Sequence, residues 1–217
     1  MKAKRRLRKY LTKGIRKVRH RKGYGVHSPF AFALITQVIN EQSPYYAYQD
    51  ILKACREQSR KRRVLPNFVN KRANSTKVLF LLYRLVNRFK ARRILEIGPS
   101  NGLATLAMSL PDSQSRVAHV DYDRMARLSA EGPYDFILVH RDVLRSVQKN
   151  EFCGQLVGLM HEQTVIVIKG IHRYAQMHAL WMELRTSAQV CVSMDLYEVG
   201  LAIAHPKLFK QHYVVSF

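Results

Sequence analysis

The sequence predicts an α/β protein with a Rossmann-like, mostly parallel sheet and antiparallel C-terminal strands, preceded by a basic helical N-terminal module. Three observations predict it. Short apolar runs at Ile94-Leu95-Glu96-Ile97, Phe136-Ile137-Leu138-Val139 and Val165-Ile166-Val167-Ile168 read as strands buried on both faces, as parallel strands are. Helical segments lie between them, the one from Leu103 to Leu110 rich in Ala, Leu and Met. The cationic residues crowd ahead of the first strand rather than spreading along the chain.

That crowding is large. Of 217 residues with net charge +22, residues 1–95 hold 26 Lys and Arg against three acids, or +23, and residues 96–217 hold 11 against 12, or −1. The basic character belongs to the N-terminal part, and it points to a polyanion partner: nucleic acid, an anionic membrane surface or an acidic substrate. The chain is 47% hydrophobic, enough for one domain with a real core. No apolar run approaches the roughly 20 residues of a membrane span. The basic start lacks the apolar core of a secretion signal. Cys55, Cys153 and Cys191 are odd in number and far apart, without metal-ligand spacing, which suggests a reducing, cytoplasmic compartment.

The elements follow in order. Residues 2–22 carry twelve Lys and Arg and no acid, with Leu7, Leu11, Ile15 and Val18 as a narrow apolar stripe on a helix. Such a helix suits an anionic membrane surface, nucleic acid, or docking on its own domain. In Gly23-Tyr24-Gly25-Val26-His27-Ser28-Pro29-Phe30, Ser28 is a good helix N-cap and Pro29 a good first helical residue. Phe32, Ile35, Val38 and Ile39 give the next helical face. Tyr45 to Arg63 reads as a further helix, residues 64–73 as a loop, and Ser75 as the cap of a helix with Val78, Leu79, Leu82, Leu85 and Val86 inside. The basic run 60–93 is a second candidate polyanion surface. Residues 1–90 are thus expected as the basic extension and 91–217 as the Rossmann-like domain.

In that domain Gly98 and Gly102 bracket a turn between the first strand and a helix from Leu103 to Leu110. Such a turn presents backbone N–H groups and a positive helix end at the carboxyl edge of the sheet, where open α/β sheets bind ligands. The spacing is not that of a dinucleotide fingerprint, and no phosphate-loop Lys-Ser/Thr pair follows. Arg116 to Asp121 reads as the second strand. Asp121 lies 19 residues beyond Gly102, where an acid suits a ribose; Asp123 competes for that role. A helix at 144–160 and another carrying Tyr174, Met177, Trp181 and Leu184 flank the strand at 164–168, with Trp181 as packing. Three closing strands follow at 190–194, 199–203 and 212–217, at least two of them antiparallel.

The pattern Glu96-x-Gly98-x-x-x-Gly102 after a buried strand resembles motif I of class I S-adenosylmethionine-dependent methyltransferases, with Ser100 in place of the usual third glycine. Gly-Tyr-Gly-Val-His-Ser-Pro-Phe at 23–30, and the segments Ile171-His172-Arg173, Trp181 and Asp195-Leu196-Tyr197, are similar to a group of bacterial class I methyltransferase-like proteins. The resemblance implies S-adenosylmethionine as cofactor, lined by Glu96, Gly98, Ser100, Asn101, Gly102 and Asp121. A full class I fold also places a helix, an edge strand and a second helix between 121 and 134. This chain has room only for a short helix near 123–130, so the resemblance implies a missing edge strand.

Metal-dependent members of that superfamily hold a divalent cation with acids after the fourth and fifth strands. Here those positions carry His140-Arg141 and Lys169-Gly170, with Asp142 the one nearby acid. Two cations oppose a metal, which needs several oxygen ligands. His140 is a candidate general base, having a reference pKa near neutrality, and His27 a second candidate that also suits a hydrogen bond within its loop. Lys169 suits an anionic substrate. The leading function is metal-independent methyl transfer to an unknown acceptor. The alternative is a catalytically degenerate methyltransferase-fold protein that binds polyanions through its basic half.

Overall fold

The computed structural model describes residues 26–64, 75–121, 132–141, 143 and 149–217. The helix expected over 2–22, most of the loop 64–73 and the short helix near 123–130 lie outside the described residues, as do Asp123 and Asp142.

Among the described residues the elements follow in this chain order. Helix α1 is Pro29–Leu34, continued by a wider π turn at Ile35–Ile39; α2 is Ala47–Val64 and α3 Thr76–Phe89. Strand β1 is Arg93–Ile97, α4 Leu103–Ser109, β2 Arg116–Val120, β3 Phe136–Val139, α5 Lys149–Gly158 and β4 Val165–Lys169. Helix α6 is Ala175–Thr186, and β5 Val192–Asp195, β6 Val199–Ile203 and β7 Gln211–Val214 close the chain. The seven strands make one sheet in the order β2-β1-β3-β4-β6-β5-β7. Only β6 runs against the rest, so its pairings with β4 and β5 are antiparallel, while β7 lies parallel to β5.

The central strands are apolar along their whole length because both faces are covered. Successive side chains point to opposite faces. Ile94, Phe136, Leu138, Val165 and Val167 pack on one side with α1, α3 and α4. Leu95, Ile97, Ile137, Val139, Ile166 and Ile168 pack on the other with Phe152 and Leu156 of α5 and Met177, Leu180, Trp181 and Leu184 of α6. Trp181 lies flat on β6, where a Cβ at Gly200 would stand 2.6 Å from the ring. A larger residue there would displace the indole.

Local caps hold the helices as expected. Ser28 Oγ accepts from Ala31 N and Ser75 Oγ from Val78 N. Phe32 departs from the expected inner stripe and is 48% exposed. The buried stripe is Ala31, Leu34, Ile35, Val38 and Ile39, the ordinary helical spacing, and it runs through Ala31 so that Phe32 falls outside it; the π turn, where Asn40 N reaches back five residues to Ile35 O, follows in the chain. Arg84 is buried and closes this layer, with Nε donating to Val38 O, Nη2 to Ile39 O and Nη1 to the Tyr48 hydroxyl.

The sheet ends at β2, and among the described residues no strand lies beyond it. Its sides are half-covered, unlike those of β3 and β4. The three cysteines are free thiols. No helix among the described residues is long and apolar enough to cross a membrane.

Candidate functional site

The carboxyl ends of β1, β3 and β4 lie side by side, which brings Glu96, His140 and Lys169 together from sequence separations of up to 73 residues. Glu96 is the residue before the last of β1 and is fully buried. Its Oε1 faces His140 Nε2 at 2.7 Å, and its Oε2 accepts from the Thr105 hydroxyl of α4 at 2.5 Å. His140 follows β3 directly, and its Nδ1 lies 3.4 Å from Lys169 Nζ at the end of β4. Burial opposes ionisation of Glu96, but hydrogen bonds from His140, Ser100 and Thr105 outweigh it and hold the carboxyl below the usual range. Burial pushes the His140 imidazole below its ordinary value, and the Lys169 charge adds to that against the pull of Glu96. The histidine is therefore neutral. An ionised Glu96 can only accept, so the proton is on Nε2 and the lone pair on Nδ1 faces the Lys169 ammonium.

The turn after β1 bends through two left-handed glycines, Gly98 at φ +95° and Gly102 at φ +78°. They differ in surroundings. A Cβ at Gly98 would meet the Cβ atoms of His140 and Val143 at 3.3 Å, while one at Gly102 would enter open space. Gly98 thus lets the turn close on the protein, and Gly102 opens it outward. The start of the turn is anchored to β2: Gly98 N donates to Val120 O, and His119 Nε2 donates to Gly98 O at 2.8 Å. Ser100 Oγ accepts from Gly102 N, and Asn101 Oδ1 from Leu103 N. The Asn101 side-chain amide donates to Gln58 of α2, and its backbone carbonyl accepts from the same residue.

Of the expected cofactor residues, the structure gathers Glu96, Gly98, Ser100, Asn101 and Gly102 at this turn and leaves Asp121 exposed just beyond β2 on the same edge. Glu96 and Asn101 spend their polar atoms inside the protein, so they shape the turn rather than line its outer surface. His27 is not brought to His140. It is exposed, and Phe30, three residues on, packs against Phe89 and His205. Those two residues lie before β1 and after the reversed β6, at the opposite, amino edge.

Sequence reading missed His119, Gln58 and a second pair on the carboxyl edge. His172 Nε2 faces Asp195 Oδ2 at 2.7 Å, and Asp195 Oδ1 accepts from Tyr197 N. Tyr197 stacks on the His172 ring with its own backbone at φ +69°. The signal was present, since both segments had been singled out separately, but not their contact. Arg141 approaches the backbone at Gly170 so closely that a Cβ there would be 2.8 Å from Arg141 Cβ. Among the described residues no group of three His, Cys, Asp or Glu side chains could hold a metal ion.

No family model matches the chain, and no curated protein matches it either. Solved structures do. The O-methyltransferase from Bacillus cereus in complex with SAH is 16% identical, covering 75% of this chain and 92% of its own, with TM-score 0.50. Cofactor-bound Rv0187 from MTB is 18% identical, covering 81% and 96%, with TM-score 0.51. A methyltransferase from Geobacter sulfurreducens is 12% identical, covering 76% and 91%, with TM-score 0.50. At such identities the likeness is one of fold: the chain has the Rossmann-like fold of class I methyltransferases.

Proposed function

We propose that this chain transfers a methyl group from S-adenosylmethionine to an acceptor without a divalent metal. The observation that carries the reading is the turn Gly98–Gly102, left-handed at both glycines, closed inward at Gly98 and open at Gly102. The fold supports it, and so does exposed Asp121 at the end of β2, placed to accept from ribose hydroxyls. The cofactor supplies an activated methyl group on a sulfonium. The open side of Gly102 admits the ligand to the backbone, and Ser100 and Asp121 supply polar contacts beside it. Lys169 and Arg141 oppose a divalent cation at this edge and favour an acceptor with a negative charge. His140, neutral and backed by Glu96, turns its Nδ1 lone pair to Lys169 and so helps to orient that ammonium at the edge where the acceptor would sit. Positioning supplies much of the remaining rate, because methyl transfer is an in-line displacement. The basic segments 2–22 and 60–93 add a contact for polyanions, either nucleic acid or an anionic membrane surface.

A second reading is a non-catalytic protein of the same fold that binds polyanions. It is favoured by the engagement of both His140 nitrogens within the protein. Calorimetric titration of the full chain with S-adenosylmethionine in the presence of EDTA separates the two. Saturable one-to-one binding is expected. No binding, with retained binding to RNA or anionic vesicles, would overturn the first reading in favour of the second.

A further inference from the structure

The two ends of the glycine turn are held by different parts of the chain. The first end belongs to the sheet, through Gly98 N to Val120 O and His119 to Gly98 O. The second end is held from outside by Gln58, a half-buried residue on α2, 43 residues earlier in sequence. Gln58 Nε2 donates to Asn101 O at 2.9 Å, and Asn101 Nδ2 donates to Gln58 Oε1 at 2.8 Å.

We infer that Gln58 is a positioning residue for cofactor binding, acting through the Asn101–Gly102 peptide; the inference rests on the turn being the cofactor site. A peptide group is planar, so fixing the Asn101 carbonyl fixes the direction of the Gly102 N–H on the far side of the same plane. Gly102 tolerates both left- and right-handed backbone, which makes rotation of this peptide the easiest motion of the turn. The Gln58 bond to Asn101 O opposes that rotation directly. The reciprocal bond holds the Asn101 side chain, whose Oδ1 accepts from Leu103 N and so sets the entry into α4. Gln58 thus preorganises the open side of the turn without touching what binds there, and the binding geometry depends on a helix that precedes the sheet in sequence.

Preorganisation lowers the cost of binding rather than adding a contact. Losing it is expected to weaken binding roughly tenfold, the scale of one or two net hydrogen bonds. The probe is S-adenosylhomocysteine, titrated by calorimetry into the full chain and into Gln58→Met, which keeps side-chain length and helix propensity but makes neither bond. Tyr48→Phe is the control: it removes the bond from Arg84 to another residue of α2, far from the turn, and should lower Tm with unchanged affinity. Gln58→Met should show the reverse, with weakened affinity, little change in the Tm of the free chain and faster amide deuteration at 100–103. Affinity within twofold of the parent, or a loss of affinity in Tyr48→Phe as large as in Gln58→Met, would overturn the inference alone. Failure of the parent chain to bind would overturn the cofactor reading with it.

Discussion

Strand β3 carries a histidine–carboxylate contact at each end, and the two are built differently. At the amino edge Asp135 precedes the strand. Its Oδ2 accepts from the backbone N–H groups of Arg92 and Arg93 at 2.8 Å, and its Oδ1 faces His161 Nε2 at 3.0 Å. Both side chains are about one-third exposed. At the carboxyl edge His140 follows the strand, and its pair with Glu96 is sealed, with side chains 7% and 0% exposed. Asp135 ties down the start of β1, so it has a structural task that explains it. Among the described residues Glu96 bonds side chains and not backbone: it holds His140, Thr105 and Ser100. A buried carboxylate held against a buried histidine costs solvation and is weak support for a fold. On the proposed function, the carboxyl edge is the end of the sheet that meets the ligand.

Removing each carboxylate should break the two ends unequally. Glu96→Ala leaves His140 and Thr105 without their buried acceptor and should cost about 3 kcal/mol. Asp135→Ala exposes two amides that water can reach and should cost about 1 kcal/mol. Urea denaturation measures both. Equal losses would erase the distinction.

The glycine turn sharpens it. Gly98→Val places a β-branched side chain at φ +95° against His140 and Val143 and should cost about 2–3 kcal/mol of stability. Gly102→Ala meets no neighbour and should cost about 1 kcal/mol from its backbone alone, while losing most binding of S-adenosylhomocysteine. Stability by denaturation and affinity by calorimetry separate these. A Gly102→Ala chain that binds as its parent does would remove the open side of the turn from the site.

The smallest effect is a pH dependence. The folded His140 pKa lies below its unfolded value of 6.5, so the unfolded chain takes up the proton first as pH falls. The associated stability is complete above 6.5 and declines from there toward the folded pKa. His140→Gln keeps a donor for Glu96 and an acceptor for Lys169 but does not titrate. The difference between parent and variant should therefore be flat above about pH 7 and fall below pH 6.5. Asp135, also lowered, acts in another window: its contribution is present above 3.8 and lost as pH falls through the folded value. A difference that rises on acidification through pH 6 would contradict the neutral, buried His140.

Much of the carboxyl edge was legible because it is written in local patterns. The runs at 94–97, 136–139 and 165–168 are apolar throughout, so two-sided burial and a parallel sheet follow from them. Gly98 and Gly102 announced a turn, and β2 ends at Val120 with Asp121 just beyond it. The contacts that give the site its properties were not legible. Glu96 and His140 are 44 residues apart, and Gln58 and Asn101 are 43 apart, on elements whose alignment only the sheet register and helix packing decide. Glu96 reads from the motif as a ligand contact, yet burial makes it an internal brace. His27 reads as a site residue from its glycine-flanked loop, yet the packing of Phe30 against Phe89 and His205 takes it to the amino edge. Phe32 went astray because the inward stripe runs through the small Ala31 beside it, which leaves the larger Phe32 in solvent.

The most direct test of the central claim is the footprint of S-adenosylhomocysteine on the full chain by amide hydrogen exchange. The account predicts slowed exchange at 98–103 and 118–121, with 132–135 and 161–164 at the amino edge unchanged. Protection at the amino edge, or no protection at the glycine turn under saturating ligand, would contradict it.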